Sequence, residues 1–516
     1  MARENFLKYV WKVCVEPQLG YSFSINHTVP YSVIGVQEAH LATHYNPLYW
    51  ACACLCCNAG NTVGDMDFDE EEPVEAEAQE PEEGEEDANS SNKKKRAAPN
   101  YGKIAKAISD VQLAGVEVSL PNINESEGDF IPDVKHNRIL YSLNTVSAVS
   151  EDIYQQVMAK RPFSSVDDFL ARTEGVTVTQ MIGMIKAGCF DELEGKPRPQ
   201  ILAAYLKRTA EEEIPVKDSA TTTQLKKAIE LGMDLSKYKE MVWAFNFKKW
   251  VDANQYDKER KRYVLTDRDA INFFYDQIAG RLNQAKDEYS LMPGGAVAAK
   301  KSAVEREVKK IIEPLMAYMN SPEGLKAFAA ACRKARVEEL KEKYCRGTIA
   351  EWEMEQLSFY HEPHELLKAD QKAYGIEDFF QLPETPVMEE YVGRDGTKRQ
   401  TPRITAIAGT VVDADNLKHI VQLLTTTGVV GVKMYGDLYN RYKQRLTTVD
   451  KTTGKKTLLD ESWFKRGTKL LVYGFRREEG FVAKGTRING RQRQLCRIDS
   501  VTPSGMLNMT FSRTKE

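Results

Sequence analysis

The chain has 516 residues, a formal net charge of -4, 28% charged residues and 42% hydrophobic residues, an ordinary composition for soluble globular proteins. Its longest uninterrupted apolar run, Leu48 to Cys57, is too short to cross a bilayer, and its first residues lack the apolar stretch of a secretory signal. Nine cysteines without paired spacing indicate reduced thiols. Secreted, membrane and disulfide-framework classes are therefore excluded, and a cytoplasmic protein of roughly three domains is predicted.

The charge is distributed unevenly along the chain. Residues 65–87 hold 14 Asp and Glu and no Lys or Arg, and residues 93–96 are all basic. Without these two segments, 67 basic residues stand against 61 acidic ones, so the rest of the chain is mildly basic and compatible with a polyanionic partner. We expect residues 61–100 to be an acidic disordered linker. The alternative is an acidic block that imitates nucleic acid, as an inhibitor would.

Residues 1–60 are predicted to be helical, with an interruption at Asn46-Pro47, because proline disfavours helix in the residue before it. The CACLCC run, residues 52–57, could suggest a metal site. Contiguous ligands on one helix cannot easily surround zinc tetrahedrally, so this run favours buried helix packing.

Phe23, His27 and Tyr31 recur every four residues and would share one face of a helix. Such a face can stack on a base and donate a hydrogen bond to a phosphate. A stripe of core residues is the alternative interpretation. Pro30 argues against one continuous helix in this segment.

The remaining patterns predict a multidomain chain that is mainly α and ends in an all-β barrel. Period-two alternation appears only late in the chain, where several short strands suggest an OB-fold. The predicted segments are a compact helical unit at 101–210, a helical insertion at 211–350, a connector at 351–400, the barrel at 401–490 and a tail at 491–516.

The segment YSFSINHTVPYSVIGVQEAHLATHYNP resembles the fingers of bacterial replicative DNA polymerase III alpha subunits, the C-family polymerases. The matching residues are Tyr21, Phe23, His27, Tyr31, Gln37, Ala39, Leu41, His44, Tyr45 and Pro47. The resemblance implies that Phe23, His27 and Tyr31 contact the incoming nucleotide and that residues 1–60 form the C-terminal part of the fingers. The family lysine near the triphosphate is Ile25 here, and Lys8 or Lys12 could substitute for its charge.

The next unit, residues 101–210, resembles the family connector followed by its tandem helix-hairpin-helix module. Backbone N–H groups of such hairpins hold DNA phosphates without reading sequence. The family's GVG hairpin is Ala148-Val149-Ser150 here, so Ala148 and Ser150 are the implied DNA contacts, with a weakened grip. Lys160 and Arg161 could supply charge instead, or be ordinary solvated surface.

The barrel segment resembles the family OB-fold, with Tyr435, Leu438, Tyr439 and Tyr442 aligned to its motif. Aromatic side chains on a barrel face can stack on single-stranded bases. The implied DNA contacts are Lys433, Tyr435, Arg441 and Tyr442, with Lys443 and Arg445 extending the basic stripe. Packing in the core is the alternative for any one of these tyrosines.

The segment EWEMEQLSFYHEPHELL resembles the family motif that precedes the OB-fold. Its QLSFY stretch, residues 356–360, could also be a sliding-clamp peptide. His361 and His364 do not form a convincing metal pair, because suitable further ligands are absent nearby.

A polymerase palm needs acidic residues that hold two Mg2+ ions, and the family's D-x-D pair precedes the fingers motif. Only 20 residues precede that motif here. The D-x-D strings at 65–69, 267–269 and 413–415 fit a linker, a helix start and a barrel turn. We therefore expect no catalytic or metal-ligating residue in this chain.

The sequence thus indicates the distal part of a split DNA-directed DNA polymerase, such as a phage would encode. The expected partners are primer-template DNA, single-stranded template, dNTP and an N-terminal chain whose palm holds Mg2+, with a sliding clamp as a further candidate. An expression fragment is the alternative origin. A non-catalytic DNA-binding or scaffold protein derived from such a polymerase is the alternative function.

Overall fold

The computed structural model describes residues 2–16, 25–59, 100–392, 396–449, 456–488, 491–511 and 513. Contacts divide the chain into two compact units: unit 1 is Met1–Arg198 with Gly347–Glu516, and unit 2 is Pro199–Arg346. Within the described ranges, no helix combines the length and apolar character needed to span a bilayer. The predicted linker lies outside the described residues except for Asn100.

Unit 1 begins with three helices: α1 (Ala2–Val10), α2 (Ile25–His44) and α3 (Pro47–Ala59), with a π-helical turn (Trp11–Val15) after α1. The predicted break is confirmed, because α2 ends before Asn46-Pro47 and the Asn46 side chain accepts the N–H of Leu48 at 3.0 Å. The expectation that Pro30 would interrupt the helix is wrong, since α2 continues through it. Pro30 is the sixth residue of α2, so it removes a single backbone hydrogen bond, and the helix continues despite this loss.

Helix α3 packs into unit 1 through residues spaced along one stripe, among them Leu48, Cys52 and Leu55. The Cys52 thiol donates to the carbonyl of Phe130 at 2.9 Å. The cysteine run is therefore a packing element on its buried side, while Cys57 is exposed.

The next part of unit 1 combines a small sheet with the hairpin helices. Its elements are α4 (Tyr101–Leu113), β1 (Glu117–Val118), β2 (Ile131–Asp133), β3 (Arg138–Leu140), a 3-10 turn (Leu143–Thr145), α5 (Glu151–Lys160), α6 (Val166–Arg172), α7 (Val178–Ala187) and α8 (Asp191–Glu194). The sheet order is β1-β3-β2. Gly115 follows α4 with φ +82°, the left-handed conformation expected of a glycine that ends a helix.

Unit 2 is less helical than the insertion predicted at 211–350, because it also contains a four-stranded sheet. Its elements are α9 (Arg198–Glu213), α10 (Thr222–Glu230), α11 (Lys239–Asn254), β4 (Tyr256–Asp257), β5 (Arg262–Leu265), α12 (Arg268–Phe273), β6 (Tyr289–Leu291), β7 (Val297–Lys300), α13 (Lys301–Met319) and α14 (Pro322–Tyr344). The four strands form a sheet in the order β4-β5-β7-β6. Buried side chains of α11, α13, β5 and β7 share one core beneath this sheet.

The chain then returns to unit 1, where it forms three more α-helices and thirteen strands. They are α15 (Ile349–Leu357), α16 (Gln371–Tyr374), β8 (Met388–Val392), β9 (Lys398–Pro402), β10 (Thr405–Asp415), β11 (Ile420–Leu424), β12 (Val429–Lys433), α17 (Gly436–Lys443), β13 (Leu446–Val449), β14 (Lys456–Asp460), β15 (Lys469–Arg477), β16 (Gly480–Ala483), β17 (Thr486–Ile488), β18 (Arg491–Arg493), β19 (Leu495–Val501) and β20 (Leu507–Thr510).

Five of these strands close the barrel that the sequence predicted. The order is β10-β11-β12-β16-β15, and β15 pairs again with β10. Only the β12–β16 pair within this ring is parallel. A five-stranded closed barrel with a helix, α17, after its third strand is an OB-fold. The fold class, multidomain and mainly α with a terminal OB-fold, is confirmed.

The C-terminal segment is more ordered than predicted. Within the predicted tail at 491–516, β19 pairs with barrel strand β15, and β20 pairs with β19. Cys496 and Ile498 of β19 are buried in a second small core with Leu471 of β15.

Arg198, the last residue of unit 1 before unit 2 begins, forms an ion pair with Glu353. Arg198 is nearly buried and lies 2.9 Å from Glu353 of α15, measured from Nη1 to Oε1, an ionic contact without good hydrogen-bond alignment. Arg198 Nε also donates to Asp191 at 2.6 Å. The other oxygen of Glu353 accepts the N–H groups of His361 and Glu362.

Candidate nucleic-acid interface

The predicted nucleotide-binding residues lie at the beginning of α2. Phe23 is outside the described residues, and His27 is described only as part of the α2 backbone. Tyr31 is exposed on the same helix, four positions after His27. The helix therefore places positions 27 and 31 on one face, and Tyr31 is not a core residue of the described chain.

The N-terminal helices expose an unusual amount of apolar surface. Every described side chain of α2 from Thr28 to Leu41 is exposed. The exposed large apolar side chains of this region are Phe6, Leu7, Tyr9, Trp11, Val29, Tyr31, Val33, Ile34, Val36, Leu41, Tyr45 and Tyr49. We call this set the N-terminal apolar face. This many exposed large apolar side chains is typical of a surface that associates with another protein.

The first hairpin, Val146–Ser150, leads into α5. The Ala148 side chain fills space beside Gly183 of α7, where an added Cβ would lie 2.4 Å from the Ala148 Cβ. Ser150 precedes α5 in an extended conformation, and its side chain makes no capping bond. Because Glu151 and Asp152 occupy the first turn of α5, their charges oppose phosphate binding at this helix start.

The second hairpin, between α6 and α7, differs from the first in having a glycine and a capped helix start without acidic residues. Gly175 has φ +71° and open space where a Cβ would be. Thr177 caps α7, whose first turn carries no acidic residue. Backbone N–H groups at such a helix start favour a phosphate. We call residues 173–177 the second hairpin; its signal in the sequence was the Gly-Val-Thr step before an apolar helix.

Lys160 lies beside the second hairpin, whereas Arg161 is part of the fold. The Gln156 side-chain oxygen accepts both Lys160 Nζ, at 3.0 Å, and the N–H of Glu174, at 2.8 Å. Arg161 donates to the carbonyl of Ser126 at 3.0 Å and to Glu127 at 2.6 Å. Of the two predicted cations, Lys160 is therefore the one without an ion-pair partner among the described residues.

The barrel separates the predicted aromatic contacts. Tyr435 directly precedes α17 and is 66% exposed, whereas Tyr442 is 9% exposed. The ring of Tyr442 packs against Trp463, with centroids 4.8 Å apart. The expectation that Tyr442 would stack on a base is therefore wrong, since its ring belongs to the barrel core. Tyr439 is also in that core.

The two predicted barrel cations are on the surface. Lys433 ends β12, and its Nζ donates to the carbonyl of Lys418. Arg441 is exposed on α17, and its own carbonyl accepts Arg513 Nη1 at 2.6 Å. Along the chain, Lys433 precedes Tyr435 at the end of β12, and Arg441 follows it on α17.

A cleft of about 910 Å³ opens in unit 1 between the start of α4 and the barrel. Four basic residues line it: Lys443, Arg445, Lys465 and Arg466. The Arg466 guanidinium lies 4.1 Å from the centroid of the Tyr101 ring, and Arg445 pairs with Glu461 at 3.1 Å. Glu355 and Asp413 also line the cleft, so its basic character is partial. Lys465, Arg466 and Tyr101 were not singled out from the sequence.

The proposed clamp peptide is built into unit 1. Leu357, Phe359 and Tyr360 are buried, and the Gln356 side chain accepts the hydroxyl of Ser147 at 2.7 Å. The aromatic residues that a clamp would bind are therefore inaccessible in this fold.

His364 is a buried neutral histidine. Its Nδ1 accepts the N–H of Leu366 at 3.1 Å, so the proton is on Nε2, which lies 3.1 Å from the carbonyl of Leu424. Burial lowers the pKa of His364 to about 4, and the charge of Lys469 contributes to this shift.

No group of three or more metal-ligating side chains is found in the described parts of the chain. Of the D-x-D strings, Asp267 caps α12 by accepting the N–H of Ala270 at 2.9 Å, and Asp415 accepts the N–H of Leu417 after β10. The string at 65–69 lies outside the described residues.

Comparisons with known proteins agree with this arrangement. A helix-hairpin-helix motif family matches residues 115–201. The "Probable DNA polymerase YorL" of Bacillus subtilis and the "DNA-directed DNA polymerase" of Bacillus phage SPbeta are each 32% identical over 99% of this chain. The chain spans only 37% of the length of these two relatives. The "DNA polymerase III subunit alpha" of Bacillus subtilis is 27% identical over 36% of this chain, which covers 13% of that protein.

Proposed function

Because this chain is homologous to a phage DNA polymerase and to bacterial DNA polymerase III alpha subunits, we propose that it supplies the distal modules of a DNA-directed DNA polymerase. Residues 1–60 contribute the end of the fingers, 101–210 hold duplex DNA, and 401–490 guide single-stranded template. A palm outside these 516 residues, on a partner chain, provides the Mg2+ ligands and the catalysis. The site of action is then the cytoplasm of a bacterial host.

The observation that carries this proposal is the N-terminal apolar face. Its side chains are exposed in the described chain, and exposing them to water is unfavourable in proportion to their apolar area. The rest of a fingers domain is the occupant that fits, since the chain spans 37% of the phage relative. We propose that this face binds the palm-bearing partner and that Phe23, His27 and Tyr31 then face the dNTP.

The duplex contact is assigned to the hairpin module. Lys160 beside the second hairpin supplies charge, and the open space at Gly175 lets a phosphate approach the start of α7. Ala148 and Ser150 contribute less, because Glu151 and Asp152 follow them. On the barrel, Tyr435 stacks on a base while Lys433 and Arg441 neutralise phosphates.

Primer extension with this chain, with the palm-bearing polypeptide of the same source, and with both together tests the proposal. Extension is expected only from the mixture with Mg2+. The double variant Val36→Asp/Leu41→Asp should abolish co-purification and stimulation, while Leu417→Asp, at an exposed barrel position, should change neither. Extension by this chain alone would sink the split arrangement.

Two features favour the non-catalytic scaffold as a second candidate. Ile25 cannot neutralise a triphosphate, and the first hairpin carries acidic residues where phosphate would bind. A scaffold would bind the partner and DNA without raising the extension rate. The mixing experiment separates the two functions by that rate.

A further inference from the structure

Helix α11 of unit 2 carries two exposed tryptophans on one face. Trp243 is 62% exposed and Trp250 is 40% exposed. They are seven residues apart, which is nearly two full turns, so they stand in line about 10 Å apart along the helix axis. Neither indole N–H has a hydrogen-bond partner among the described residues. Burial of Ala244, Phe247 and Val251 directs the opposite side of the helix into the core.

The surroundings of the two tryptophans are polar and cationic. Lys239 and Asn246 lie on the same exposed face by helical spacing. Residues 241–251 include Lys248 and Lys249 and no acidic residue. Lys249 pairs with Glu230 at 3.5 Å and Lys248 with Glu305 at 3.4 Å, so Lys239 is the cation of this face that has no ion-pair partner in the described chain. Of the two carboxylates on α11, Asp252 is neutralised by Lys248 at 2.8 Å and Lys301 at 3.1 Å, and Glu240 is in the first turn.

The β4–β5 hairpin follows directly after the end of α11. Its loop, Lys258–Lys261, is exposed and holds three basic residues and Glu259. Arg260 is 3.8 Å from Asp257, while Lys258 and Lys261 have no ion-pair partner in the described chain. Unit 2 as a whole has 28 Lys and Arg against 22 Asp and Glu, which complements a polyanion.

We propose that this face of α11, with Trp243, Trp250, Lys239 and the adjacent β4–β5 loop, binds single-stranded nucleic acid. Two isolated indoles separated by polar residues suit base stacking, with the lysines at the phosphates. A protein partner would fit a surface rich in apolar side chains, such as the N-terminal apolar face, which includes exposed Val, Ile and Leu residues. Duplex DNA offers no accessible base faces for the indoles.

The test is fluorescence anisotropy of the full chain with fluorescein-labelled (dT)20 and with a 20-base-pair duplex. The double variant Trp243→Ala/Trp250→Ala is expected to weaken (dT)20 binding at least about tenfold and to leave duplex affinity unchanged. Trp243→Phe/Trp250→Phe should retain binding within about threefold, because phenylalanine also stacks. Leu291→Ala, at an exposed position of unit 2, is the matched control.

A second readout does not depend on the alanine variant folding. Binding of (dT)20 should quench the tryptophan emission of the wild-type chain, and the phenylalanine variant should lose a large part of that quenching. Unchanged (dT)20 affinity in a folded alanine variant would overturn the proposal, as would an equal loss of duplex binding. Loss of partner binding with intact (dT)20 binding would assign the face to a protein. None of these results depends on polymerase activity.

Discussion

The methyl group of Ala148 occupies the space that a side chain at Gly183 would need. An added Cβ on Gly183 would lie 2.4 Å from the Ala148 Cβ, closer than two carbon atoms can approach. The glycine that C-family polymerases have in the first hairpin is alanine here, and α7 accommodates that alanine with a glycine of its own. The first hairpin and α7 are therefore matched in volume.

This match predicts the behaviour of a pair of substitutions. Gly183→Ala alone should lower the free energy of unfolding by about 1 to 3 kcal/mol through overpacking. Adding Ala148→Gly should recover most of that loss, because the total volume is then conserved. Chemical denaturation of the two single variants and the double variant measures the coupling. Additive effects would contradict the contact.

Lys160 and Arg161 should differ in their effects on DNA binding. Lys160→Ala removes a cation beside the second hairpin, so duplex affinity should fall and the slope of log K against log salt should shrink by about 0.9. Arg161→Ala removes bonds to Ser126 and Glu127, so it should lower thermal stability and leave the salt slope unchanged. Titrations at several salt concentrations, with melting curves, distinguish the two. A smaller slope for Arg161→Ala would show that its guanidinium reaches phosphate.

Tyr435 and Tyr442 give a second contrast, within the barrel. Tyr435→Ala should cost about 1 to 3 kcal/mol of single-strand binding and little stability, because the ring is exposed. Tyr442→Ala should cost about 3 to 5 kcal/mol of stability through the cavity beside Trp463. Tyr435→Phe is the control that keeps stacking. Equal oligonucleotide affinity in wild type and Tyr435→Ala would remove this tyrosine from the proposed interface.

Stability should fall in mild acid because of His364. Its pKa is about 6.5 when unfolded and about 4 in the fold, so the unfolded chain gains a proton first as the pH falls. The contribution is fully present above pH 6.5, and on the order of 3 kcal/mol is lost between pH 6.5 and 4. His364→Gln should flatten denaturation midpoints across this window. A profile identical to wild type would exclude His364 as the cause.

The barrel was predictable because its longer strands are continuous runs rich in apolar and β-branched residues, as in Thr405–Asp415, where seven consecutive residues are buried. The sheet of unit 2 was not, because β4 has two residues and β5 lies within a run of charges. Such short strands are too brief to show a hydrophobic period in the sequence. The pairing of β5 with β7, far along the chain, fixes them instead.

The sequence also did not reveal which tyrosines of the barrel motif are buried. Tyr439 and Tyr442 are three residues apart on α17 and share its inner face, whereas Tyr435 precedes the helix and projects separately. A spacing of three or four residues is common to core and binding stripes, so only the position of the helix start separates them. The second hairpin was not predicted as a DNA contact, because a single glycine at position 175 does not by itself indicate a phosphate-binding hairpin.

The Arg198–Glu353 ion pair joins the two stretches of unit 1 that flank unit 2. A buried pair of this kind loses about 3 to 5 kcal/mol when one partner is removed, so it holds the exit and the return of the chain at one place. Unit 2, the 148 residues from 199 to 346, is thus inserted between two points of unit 1 that this ion pair holds together. A variant in which a short linker replaces unit 2 is therefore expected to keep the barrel and the hairpins folded, and it would separate the function of unit 2 from the rest of the chain.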